Sequence, residues 1–132
     1  MKKEVVILLV LILMLSGCSE KELISHKNFK SLNYEVTECL DSGDDNIDIN
    51  IIGDKIIIKQ VIEFNCCFEV DLSYKETDSI MRIYEDFSGE ECDCNCKKEI
   101  TAEISSKDID EIEFYSRINV EYPYELLSER EI

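Results

Sequence analysis

The chain has 132 residues, and 30 Asp and Glu against 14 Lys and Arg give it a formal net charge of −16. That balance argues against a nucleic-acid backbone as partner, because phosphate binding needs clustered Lys and Arg, and against direct adhesion to anionic lipid headgroups; it suits a cation or a basic protein as ligand equally well. Only four glycines are present, none in a GxGxxG or GxxxxGK pattern that would cradle a phosphate, and the lack of Trp removes the commonest sugar-stacking surface.

Residues 1–17 open with Lys2 and Lys3, and Val5–Leu15 is an unbroken apolar run of eleven residues. A membrane-spanning helix needs about 20 residues, whereas the apolar centre of an export signal takes about 7–15. The run therefore predicts a signal peptide. It ends in Leu15-Ser16-Gly17-Cys18, which resembles the lipobox of prokaryotic lipoproteins. The resemblance implies cleavage before Cys18, with that thiol carrying a diacylglycerol through a thioether. Two acyl chains hold a protein on a membrane stably where one does not, so the expected location is an extracytoplasmic membrane face, and the expected membrane contact is the lipid on Cys18. Residues 1–17 carry two Lys and one Glu, a net +1, so the remaining 115 residues carry −17, enough chain for one domain with a modest core.

Residues 18–30 are polar apart from Leu23, Ile24 and Phe29 and predict a flexible tether able to reach ~40 Å when extended. His26, the one histidine, falls in this tether, where general acid–base work would lack a rigid frame. No repeat or Pro- or Gly-rich linker follows, so residues 31–132 are expected to form a single domain.

From Ser31 onward the apolar period is mostly two, which predicts strands. Ile47, Ile49 and Ile51 alternate with polar residues, Gly53-Asp54 supplies a turn, and Ile56–Phe64 runs back as a hairpin. Next, Cys66, Phe68, Val70, Leu72 and Tyr74 share one face of a strand headed by Cys66 and Cys67. Lys75–Ser79 reads as a turn, and Ile80–Tyr84 as a short strand. Cys92, Cys94, Cys96, Lys98, Ile100, Ala102 and Ile104 fall on one face of a single extended run. Ser105–Asp110 reads as a turn or one helical turn, Ile112–Tyr122 as a strand ended by Pro123, and Tyr124–Ile132 as a short amphipathic helix. About six to eight short strands in this length predict an all-β antiparallel sandwich.

With Cys18 assigned to lipid, Cys39, Cys66, Cys67, Cys92, Cys94 and Cys96 remain. An even count in an exported chain reads as a disulfide framework, in principle with 15 connectivities. Residues two apart in a strand sit ~6.6 Å apart with parallel side chains, at the limit of a disulfide, so pairs within Cys92, Cys94 and Cys96 are improbable. A Cys66–Cys67 bridge would join neighbours that point to opposite faces. Each of Cys92, Cys94 and Cys96 should then pair with one of Cys39, Cys66 and Cys67, which leaves six connectivities. Opposite facing of Cys66 and Cys67 also demands a distortion, and a β-bulge at Asn65–Cys67 is the expected one. The same six thiols form the alternative: a thiolate site for Zn²⁺ or Cu⁺. The NCC…CDCNC layout over Asn46–Tyr122 resembles small cysteine-rich β domains of prokaryotic lipoproteins and secreted proteins. That resemblance implies an Ig-like fold and supplies no activity.

Asp44, Asn46 and Asp48 alternate as hard-cation ligands would, but Ile49 stands where an EF-hand has Gly and Lys55 where it has Glu, so a solvated turn is expected there. No nucleophile–base pair and no couple of carboxylates stands out. The sequence thus predicts no catalytic residues and no cofactor: a membrane-anchored, non-catalytic binding or structural module, or alternatively a thiol-based metal-binding or redox protein.

Overall fold

A computed structural model describes residues 28–132. Its nine strands are β1 (Lys30–Ser31), β2 (Asn33–Val36), β3 (Asn46–Ile52), β4 (Lys55–Asn65), β5 (Glu69–Thr77), β6 (Ile80–Ser88), β7 (Asn95–Ser105), β8 (Glu111–Ile118) and β9 (Glu125–Glu131). They form a five-stranded sheet in the order β1-β5-β6-β8-β9 and a four-stranded sheet in the order β2-β7-β4-β3. Every neighbouring pair is antiparallel except β6 and β8, which run parallel. The protein is therefore the all-β sandwich that its alternation predicts. It has nine strands rather than six to eight because the first stretch divides between the sheets at Leu32 and the tail adds β9.

Turn chemistry fixes the registers. Gly53 takes a left-handed φ of +67° between β3 and β4, setting Ile49 opposite Ile58 and Ile51 opposite Ile56. Asp78 and Ser79 both have positive φ (54° and 65°), the backbone pattern of a two-residue I′ hairpin. The turn is that tight, so Lys75–Thr77 belong to β5 and β6 continues past Tyr84 to Ser88. Inward side chains from the four-stranded sheet (Ile56, Ile58, Ile100, Ala102, Ile104) meet Leu72, Met81, Ile83, Ile112 and Phe114 from the other. Burying each such large side chain stabilises by about 1.5–3 kcal/mol.

Three local expectations are corrected. Tyr124–Ile132 is not a helix: residues 125–131 form β9, satisfying the backbone groups on the edge of β8. The Leu126-Leu127 pair that imitates helical amphipathicity sits at a bulge, where Ser128 faces Phe114 and Leu126 faces Tyr115. Cys66 and Cys67 do not head a strand, nor is there a bulge there. They occupy a turn closed by the Phe68 amide donating to the Asn65 carbonyl at 3.1 Å, which carries the chain from the four-stranded sheet to the five-stranded one. The CxCxC run is not extended throughout, because the Cys94 amide donates to the Cys92 carbonyl at 2.8 Å and folds the chain at Asp93 before β7 begins.

On the outer face of the five-stranded sheet Tyr84 is nonetheless buried. Tyr115 stacks beside it at 5.3 Å, Tyr124 meets it edge-on at 4.9 Å, and Phe29 covers it at 4.6 Å. Phe29 thus packs on the sandwich, and Lys30 lies in β1. Among the described residues no helix is long and apolar enough to cross a membrane.

Candidate binding cleft at the cysteine end

Disulfides join Cys39 to Cys96, Cys66 to Cys94 and Cys67 to Cys92, with Cα separations of 5.6, 5.4 and 5.9 Å. This nested set is one of the six connectivities left open by the sequence. The two folds in the chain explain how it is reached. The turn at Cys66-Cys67 and the bend at Asp93 let adjacent cysteines on one segment meet alternate cysteines on the other. The Leu40 amide donates to the Lys97 carbonyl at 2.8 Å and lays Cys39 beside Cys96. The sulfurs of Cys39, Cys66 and Cys96 lie within 4.8 Å of one another.

Asn65 organises this end. It is buried, and its amide nitrogen donates to the Cys92 carbonyl at 2.6 Å while its oxygen accepts from the Cys67 and Cys92 amides at 3.0 and 3.2 Å. One side chain thus ties the Cys66-Cys67 turn to the approach of the CxCxC segment. Gly89 is needed beside it: φ is +138°, and a Cβ would lie 2.9 Å from the Cys67 carbonyl oxygen.

Inside the sandwich the apolar core ends at a polar layer. Glu85 of β6 is 1% exposed, with Leu72 and Ser116 beside it on β5 and β8 and Gln60 reaching it from β4. Its Oε2 has no hydrogen-bond partner among the described residues. Burial pushes its carboxyl up to about 7, opposed by the hydrogen bond from Gln60.

Above that layer the sheets leave two adjoining hollows of about 500 and 510 Å³, within the usual range for ligand sites. Phe68, Glu91, Ser116 and Ile118 border both, so they form one cleft. Phe64 and Phe87, whose rings are 4.9 Å apart, make its apolar wall. Ile118 and Tyr122 remain 53% and 61% exposed at its mouth. Arg117 also borders it, ion-paired to Asp86 and stacked 4.2 Å over the Tyr124 ring. Tyr124 donates to the same Asp86 at 2.7 Å, and burial followed by that bond raises its hydroxyl well above the ordinary phenol range.

Cys18 and His26 lie outside the described residues. Asp44, Asn46 and Asp48 are all exposed, and Asp48 faces Lys59 across the hairpin. The carboxylates that do converge are Glu111, Glu113 and Glu129 on the outer face of the five-stranded sheet. There Glu113 is engaged by Arg82 at 2.6 Å and by the Tyr115 hydroxyl at 2.9 Å. Sequence reasoning missed Asn65, Gly89 and Glu85. Signals existed for two of them: Asn65 stands where an apolar strand meets paired cysteines, and Glu85 continues the inward row of Met81 and Ile83. Compared with protein-family models, curated proteins and solved structures, the chain finds no match.

Proposed function

We propose that this chain is an exported lipoprotein, held on an extracytoplasmic membrane face by lipid on Cys18, whose disulfide-stapled sandwich is a non-catalytic binding module with its ligand site in the cleft. The observation that carries the reading is the cleft itself: an apolar-walled space kept open beside three cross-links, with all six sulfurs of the domain bonded so that none is a thiolate. The Leu15–Cys18 motif and the disulfides support the exported, anchored part, since such bonds persist in oxidising compartments. Metabolic labelling with an alkynyl fatty acid tests it. Label is expected on the wild type with the protein in the membrane fraction, and Cys18→Ala is expected to lose both. Equal labelling of the two would contradict the anchor.

One observation favours a second reading, as a thiol-based metal or redox protein. The Cys39, Cys66 and Cys96 sulfurs are close enough that, with their bridges reduced, they would present a soft-metal donor set. Intact mass after alkylation without reductant separates the two. The binding-module reading expects three missing hydrogen pairs and no alkylation. Alkylated thiols with bound metal in the native spectrum would establish the second reading.

A further inference from the structure

We infer that the cleft at the cysteine end receives a basic, amphipathic polypeptide segment, its apolar side chains packing on Phe64, Ile118 and Tyr122 and its Lys or Arg residues meeting the rim. The inference rests on the binding-module reading above and names the chemistry of its ligand.

The mouth calls for apolar cover, since Ile118, opposite Phe87 in the β6–β8 register, and Tyr122 stand half exposed or more. The rim calls for cations. Glu63 of β4, Glu91 of the β6–β7 connection and Glu125 of β9 border the cleft, are exposed, and have no salt-bridge partner among the described residues. Asp45 borders it too, already bound to Lys97 at 3.1 Å. Three cations stand near this charge, each already engaged. Arg117 is engaged with Asp86 and Tyr124. Lys97, opposite Glu63 in the β4–β7 register, holds Asp45 and the Gly43 carbonyl. The Lys98 Nζ lies 5.3 Å from the Phe64 centroid in an adjoining hollow that Phe64 and Phe68 also border. In a chain of net charge −16, the cleft is a low-dielectric recess with an acidic border, an arrangement that concentrates cationic ligands. A small organic cation would meet one such carboxylate at a time. The three come from separate segments, so cations spaced along a chain and flanking apolar side chains match them together.

The test uses the full oxidised chain in neutral detergent and three fluorescent peptides read by anisotropy: Lys-Lys-Phe-Leu-Phe-Lys-Lys, the same core flanked by Glu, and a Lys-flanked Ser-Gly-Ser core. The Lys-flanked apolar peptide is expected to bind best and to weaken with added salt. Glu63→Gln/Glu91→Gln/Glu125→Gln should weaken it roughly tenfold, and Ile118→Ser similarly. Glu35→Gln/Asp48→Asn/Glu131→Gln, an equal charge change at exposed sites away from the cleft, should change it less than about twofold. Equal losses in the two triple variants, or equal binding of the Ser-Gly-Ser peptide, would overturn the inference by reducing it to bulk charge. A preference for the Glu-flanked peptide that Ile118→Ser removes would overturn it while leaving the binding module standing. If no peptide of any charge binds or shifts the amide resonances of Phe64, Phe87 and Ile118, both readings fall.

Discussion

The two ends of the sandwich are held by different means. At the end reached by the β3–β4 and β5–β6 turns, Ile56, Ile104, Met81, Ile112 and Phe114 fill the space between the sheets, and none is more than 3% exposed. At the other end Phe87 is still buried, but Phe64 and the 53% exposed Ile118 border an open cleft, while three disulfides and the Asn65 side chain bind the connecting segments. Burial supplies cohesion only by filling space. A cross-link supplies it by restricting the unfolded chain, and so can leave space unfilled. A small acidic domain can thus keep a recess without losing the fold, and Glu85 marks where one regime gives way to the other.

The largest effect should come from the filled end. Phe114→Ala removes a ring that is 1% exposed, and thermal or denaturant unfolding should show a loss of about 3–5 kcal/mol. A loss below about 1 kcal/mol would mean that this end is not close-packed.

Next comes pH. The folded state holds the Glu85 proton up to about 7 whereas the unfolded chain releases it near the ordinary carboxyl value. Stability is therefore fullest below that ordinary value and falls as pH rises through about 7, by roughly 3 kcal/mol from this group. Denaturant midpoints across that window should fall in the wild type, and Glu85→Gln should remove this part of the slope. An unchanged slope in the variant would contradict the buried position of Glu85.

The disulfides should differ among themselves because they are nested. Cys39→Ser/Cys96→Ser opens a loop that no other bridge closes and should cost ~3.5 kcal/mol, while Cys67→Ser/Cys92→Ser should cost only ~2 kcal/mol because Cys66–Cys94 closes nearly the same loop. Similar losses in the two variants would point to strain or packing rather than loop closure. At the small end, Ile118→Ser at the half-exposed mouth should shift stability by no more than about 0.5 kcal/mol, which makes it a clean probe of binding.

The sequence made the filled end far more legible than the cleft. Period-two alternation found the β3–β4 hairpin and the inward row of β7 because one-sided burial imposes that period. Parity also limited which cysteines could pair. What alternation cannot register is a departure from the strand: the turn at Cys66-Cys67, the bend at Asp93 and the bulge at Leu127 each break the period at the point where they redirect the chain. Glu85 escaped because a polar residue inside an apolar row reads as the row's end, whereas the I′ turn at Asp78-Ser79 carries β6 through it. Gly89 is legible only once the Cys67 carbonyl is known to lie against it.

Hydrogen exchange on the oxidised and gently reduced protein tests most directly the division between a packed end and a cross-linked one. The account predicts that reduction strips protection from the Leu40, Phe68 and Cys94 amides while Ile58, Ile83 and Phe114 stay protected. Loss of protection throughout, or no change at the cysteine end, would contradict it.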